Sequence, residues 1–242
     1  MGRSVSTALQ DLQSLLRQLP DNPAMVMAEL EQRAQRGEVL AQFLLGQACM
    51  EGRGRDIDAG AGMAWFERAA NGGLAQAMNM LGRCHELGHG TPVNHELAAV
   101  WYRQAADGGL DWGMYNLANL LATGRGLARD EGAAYALYLR AAQAGHAKSM
   151  NLVGRCLEEG RGVAADPAAA PAWYLRSAEA GDFRGQASHA SLLLAADEVD
   201  AAVHWLRKAL ANGSPSFMAA IRPQLAASPH AAIRALVAGQ AM

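Results

Sequence analysis

The chain has 242 residues, with 21 lysines and arginines against 23 aspartates and glutamates and a formal charge of −2. That balance leaves no broad basic field for a phosphate backbone, so nucleic-acid binding has no electrostatic argument behind it. Alanine, leucine, glycine, methionine and arginine abound while β-branched strand formers are few, which predicts an all-α protein whose helices are broken at intervals by glycine.

The first predicted element is an apolar stripe of Val5, Leu9, Leu12, Leu16 and Leu19, spaced 4-3-4-3 and closed by Pro20. It predicts an amphipathic helix within residues 1–22 that covers the end of the molecule, with a dimerisation seam as the rival reading. Gln10, Asp11 and Gln13 interrupt it before an apolar run of signal-peptide length develops, and no later stretch is long enough to cross a membrane. The expected location is the cytoplasm. A helix from Pro23 to Arg36 follows, standing alone before the repetitive part of the chain.

Between residues 37 and 213 one block of about 36 residues recurs, bounded by Gly37, Gly73, Gly109, Gly145 and Gly181. In its first full copy a helix is predicted from Val39 to Met50, with Ala41, Leu45, Gly46 and Cys49 on one stripe. The stripe returns as Ala77, Leu81, Gly82 and His85, then Gly113, Leu117, Ala118 and Leu121, then Ser149, Val153, Gly154 and Leu157. Its small residues let two helices approach closely, and leucine fills the space beside them.

A Gly-x-Gly turn stops each of these helices, at Gly52 and Gly54, Gly88 and Gly90, Gly124 and Gly126, and Gly160 and Gly162. A second helix then starts near Asp58, Asn94, Asp130 or Asp166, all residue types that cap helix N-termini, with Pro167 expected at the first helical position of the last. Trp65, Trp101, Trp173 and Trp205 recur on these second helices and read as packing residues. The fifth copy turns through Ala195-Ala196-Asp197-Glu198 and lacks the Gly-x-Gly loop. Two short helices, Phe217 to Ala226 and Pro229 to Val237, are predicted to close residues 214–242 as a cap. Cys84 and Cys156 share a column two repeats apart and Cys49 lies one column along, so three free thiols and a reducing compartment are expected.

These columns resemble the Sel1-like repeats, relatives of the tetratricopeptide repeats. The resemblance rests on Ala77, Leu81-Gly82, Gly88-His89-Gly90, Ala98, Trp101-Tyr102, Ala105-Ala106 and Gly109, repeated in register over residues 37 to 213. The aromatic residue that usually precedes the glycine turn is Cys49, His85, Leu121 and Leu157 here. The resemblance implies a right-handed α-solenoid superhelix of about five helix-turn-helix repeats that serves as a scaffold or adaptor for protein or peptide ligands. An immunity-type or inhibitory protein that neutralises one toxin or enzyme is the alternative it allows.

Residues 85 to 95 hold a competing motif. His85-Glu86-Leu87-Gly88-His89 is an HExxH segment, and His95 stands where a metzincin peptidase has its third histidine. Zinc binding needs both histidines one turn apart on a continuous helix, but Gly88-His89-Gly90 occupies the turn column and Pro92 replaces a required glycine. No catalytic residue, metal or cofactor is therefore expected.

For binding, the relevant surface is the side of each first helix opposite the packing stripe. Trp112 and Lys148 lie at one level, Asn79, Tyr115 and Asn151 at the next, Arg83, Asn119 and Arg155 below, and Glu86 and Glu158 last. Asn79 with Arg83 and Asn151 with Arg155 are four residues apart and share a helix face. Amides and guanidinium forks suit a peptide backbone or a carboxylate, and Trp112 and Tyr115 offer rigid anchors. A solvated face with ordinary ion pairs from Arg83 to Glu86 and from Arg155 to Glu158 or Glu159 is the other reading. A monomer or weak homodimer is expected.

Overall fold

The computed structural model describes residues 12 and 14–238, and among them all regular structure is helical. Val5 and Leu9 of the predicted N-terminal stripe lie outside the described residues. The helices are α1 (Pro23–Gln35), α2 (Val39–Glu51), α3 (Ala59–Asn71), α4 (Ala75–Leu87), α5 (His95–Asp107), α6 (Asp111–Thr123) and α7 (Glu131–Gln143). They continue as α8 (Ala147–Glu159), α9 (Ala170–Glu179), α10 (Phe183–Ala195), α11 (Val199–Asn212), α12 (Pro215–Ala226) and α13 (Ala231–Ala235). The chain divides into two compact units between Arg129 and Asp130.

In the first unit α1 to α6 pack in order, and α4 also touches α6. Leu12 and Leu15 are buried with Val26, Leu30, Ala41 and Leu45 in the first apolar cluster. Leu15 is off the predicted stripe, while Leu16 and Leu19 are half-buried. In the second unit α7 to α11 pack in order, α8 touches α10, and α13 rests on α11 and α12. Ile221, Leu225 and Ile233 join Ala202 and Leu206 in its last cluster.

The turn after a first helix is built from backbone geometry. Gly88 takes φ +76°, so that its own N–H and that of His89 both reach the Cys84 carbonyl, at 2.9 and 3.0 Å. Six residues later the Asn94 N–H returns to the His85 carbonyl at 2.8 Å, and Asp58 and Asp166 make the same bond to Cys49 and Leu157. Closed in this way, the loop sets where the second helix begins. Asp58, Asn94 and Asp130 then cap that helix by accepting from Ala61, Leu97 and Ala133 at 2.9, 3.0 and 2.8 Å. Asp130→Ala should cost about 1 kcal/mol in a urea melt, and Asp130→Asn should keep most of it; equal loss in both would assign the effect to charge and not to the cap.

One predicted start is wrong. Asp166 accepts from the Ala169 N–H at 3.1 Å, but residues 167–169 only turn and α9 begins at Ala170, three residues past Pro167. Pro171 explains the delay: it has no N–H to give an i−4 carbonyl, so it is admitted only in a helix's first turn, where it now sits.

Across the pairs α2–α3 and α4–α5 the small residues face rings. Phe66 and Tyr102 are fully buried, and a Cβ built on Gly46 or Gly82 would lie 2.7 or 2.5 Å from their ring carbons. The packing stripe read from the sequence is buried throughout, including His85, which is 7% exposed. The tryptophans of the second helices are half-buried, and Arg68, Arg176 and Lys208 stack on Trp65, Trp173 and Trp205 at 4.4, 4.4 and 4.5 Å. Cys49, Cys84 and Cys156 are free and buried, and burial pushes the Cys84 thiol up to about 11.

Candidate functional site

The residues expected on the binding surface divide into those that face solvent and those that tie repeats together. In the first unit, Arg83 is exposed on α4 and its guanidinium is 4.0 Å from the Met80 Sδ. On α6 the Trp112 indole is 43% exposed and meets Tyr115 edge to face, with ring centres 5.9 Å apart and an interplanar angle of 83°. Asn119 is half-buried one turn further along.

Asn79 is 8% exposed and is not available as a ligand group. Its Oδ1 accepts from the Asn116 side-chain amide at 2.9 Å, because α4 and α6 lie side by side and this level faces the neighbouring helix. Asn151 behaves alike in the second unit: it is 3% exposed, and its Oδ1 accepts from the Ser188 hydroxyl at 3.0 Å. The expectation that both amides form an open ladder of donors is corrected on this point. Asn116 and Ser188 escaped notice, yet their column is otherwise Leu44, Met80 and Leu152, and it turns polar only one repeat after Asn79 and Asn151.

Glu86 is equally engaged. Its Oε2 accepts from the Tyr102 hydroxyl at 2.7 Å and its Oε1 pairs with Arg125 at 3.0 Å, so the ion pair with Arg83 that the solvated-face reading offers does not form. Burial, and then the hydrogen bond to Glu86, push the Tyr102 hydroxyl pKa well above the usual tyrosine value. In the second unit Lys148 is half-buried, Arg155 is exposed and reaches Glu159 at 3.5 Å, and the exposed Glu158 accepts from the Tyr174 hydroxyl at 2.6 Å.

The HExxH segment is split by the end of α4 at Leu87. His85 is buried inside the helix pair, with its pKa lowered by that burial, whereas His89 is an exposed turn residue and His95 opens α5. Histidines on either side of a helix stop cannot take the one-turn spacing that the zinc motif requires. No group of three or more His, Cys, Asp or Glu placed to hold a metal ion occurs among the described residues. A serine and a histidine do meet, at 2.8 Å between Ser149 Oγ and His146 Nδ1, but both are buried and the imidazole caps α8 through the Ser149 N–H. This pair is helix-capping geometry. No helix among the described residues is long and apolar enough to cross a membrane.

A family model described as Sel1 repeat matches residues 39–74, 75–110, 113–146, 147–182 and 196–214. Among solved structures, a Sel1 repeat protein from Oxalobacter formigenes is similar with a TM-score of 0.72 and 24% identity, over 76% of each chain. A protective antigen of uropathogenic Escherichia coli with an SLR fold gives 0.69 at 23% identity, over 84% of this chain and 44% of that one. An immunity protein from Pseudomonas aeruginosa gives 0.57 at 14% identity, over 83% of this chain and 75% of that one. The chain thus spans less than half the length of the Escherichia coli protein. A comparison with curated proteins by sequence finds no match.

Proposed function

The chain belongs to the Sel1 repeat family, and on that premise we propose that it is a non-catalytic adaptor that binds a protein or peptide across the first helices of its repeats. Sel1 repeats generally mediate protein–protein interaction. The observation that carries the reading is the exposed Trp112, braced edge-on by Tyr115 on α6. A large ring held rigid by its neighbour loses little entropy on contact, and such rings dominate interface energies. Arg83, on the neighbouring α4, adds an exposed guanidinium to the same unit. In the second unit Lys148, Arg155 and Glu158 supply the charged groups. The free, buried thiols suit a reducing compartment such as the cytoplasm.

Replacing Arg83 and Arg155 together with alanine should leave helicity and melting temperature nearly unchanged, since both side chains are exposed and their contacts are the weak surface kind. Partner affinity should fall about tenfold, ~1.4 kcal/mol. Partners come from affinity capture with the full chain and mass spectrometry, followed by titration of the purified pair. Unaltered affinity in the double variant would remove these residues from the binding surface. The immunity protein that shares this fold supports a second reading, a neutraliser of one toxin or enzyme. A single tight partner in equal ratio favours that reading, and several weaker ones favour the adaptor.

A further inference from the structure

Glu86 shows how a carboxylate at its level is completed. One oxygen accepts from Tyr102 of its own repeat, and the other takes Arg125, offered by the Gly124-Arg125-Gly126 turn of the following repeat. Glu158 reproduces the first half of this arrangement with Tyr174, through the same Oε2 atom. It does not reproduce the second. The following repeat turns through Ala195-Ala196-Asp197-Glu198 and carries no arginine there, while Arg155 and Arg161 both engage Glu159, at 3.5 and 2.6 Å. Among the described residues Glu158 has Tyr174 as its only hydrogen-bond partner, and it is exposed.

We propose that Glu158 is a recognition point for an arginine side chain of a partner protein, held through Oε1 as Arg125 is held on Glu86. The proposal rests on the reading of the first-helix surface as the binding face and adds the chemistry of one contact. An isolated surface carboxylate is solvated and contributes little. Glu158 differs because the Tyr174 hydroxyl fixes its orientation before any ligand arrives, which lowers the entropy lost on pairing. A guanidinium is favoured over an ammonium because it is the more weakly hydrated cation and loses less on leaving water for a one-oxygen contact, such as the one Arg125 makes with Glu86 at 3.0 Å. The filled counterpart adds that the arginine fits when it stands on a tight turn between small residues.

The test is an NMR titration of the full chain, with its glutamate carboxyl carbons labelled, by acetyl-Gly-Arg-Gly-amide and the matching Gly-Lys-Gly and Gly-Ala-Gly peptides. The arginine peptide should shift the Glu158 carboxyl saturably at millimolar concentration, about threefold more tightly than the lysine peptide, and the alanine peptide should not shift it. Arg125→Ala should bring Glu86 into response as a second site, and Glu158→Gln should abolish the first while leaving the backbone amide spectrum in place. No response at Glu158, or the same response to the alanine peptide, overturns the proposal whatever Glu86 does. Because the probe is a peptide, such a failure leaves the interaction reading intact if the Arg83 and Arg155 variant still loses its partner. The opposite pattern would sink that reading alone.

Discussion

Gly82→Leu is expected to lower the unfolding free energy by about 3 kcal/mol, at the upper end of what overpacking usually costs. A Cβ at Gly82 would already stand 2.5 Å from two ring carbons of Tyr102, well inside contact distance, and leucine adds three more carbons on the same line. The ring has nowhere to go. It is fully buried, and its hydroxyl is tied to Glu86, which is tied in turn to Arg125 of the next repeat. Relief therefore requires α4 and α5 to separate, and that exposes Ala98, Ala105 and Leu81 along with the ring. Urea denaturation monitored by circular dichroism reads the loss. A variant as stable as the parent would mean that the close approach of ring and helix is not what fixes the pair.

Gly126→Ala should cost as much or more, about 3 to 4 kcal/mol, for two reasons that a matched substitution separates. Gly126 has φ +72°, where a side chain is strained, and its Cβ would sit 2.2 Å from the carbonyl carbon of His95, at the start of α5. Gly124 shares the dihedral, with φ +71°, but its Cβ would meet nothing nearer than 3.3 Å, so Gly124→Ala should lose only the dihedral part, about 1 to 2 kcal/mol. The difference between the two melts measures how tightly the turn is pressed onto the preceding repeat. Equal losses would show that the turn can lift away freely. Because Arg125 lies between these glycines, the Gly126 variant should also loosen its pairing with Glu86, visible as a shift of the Glu86 carboxyl carbon.

The helix pairs were legible in the sequence because they depend on short-range rules. Glycine at fixed intervals, an Asp or Asn before four of the five second helices and a small-residue stripe are local signals, and most turns and caps form where those signals stand. Where a second local rule intervened without being weighed, the reading slipped, as when Pro171 postponed α9 past Pro167. The candidate binding surface was less legible because side-chain partners lie in the next repeat, out of register with the 36-residue period by one position for the two asparagines and by three for Glu86. Asn79 reads as a solvent-facing amide until Asn116 of the neighbouring first helix is seen 2.9 Å away, and Glu86 reads as a partner for Arg83 until Arg125 takes it. Trp112 and Arg83 are exposed, as read from their places on the helix face.

The clasps from Asn79 to Asn116 and from Asn151 to Ser188 also set the increments in which such a chain can be lengthened or shortened. Excising one repeat, residues 75–110, would bring Phe43 to the level where Asn79 now meets Asn116 and strand an amide against a benzyl ring. Excising two repeats, residues 75–146, would seat Asn151 after Phe43 with its Ser188 partner intact, so the remaining amide keeps its hydroxyl donor. By side-chain chemistry the modular quantum of this protein is a couplet of repeats, although its backbone counts in ones.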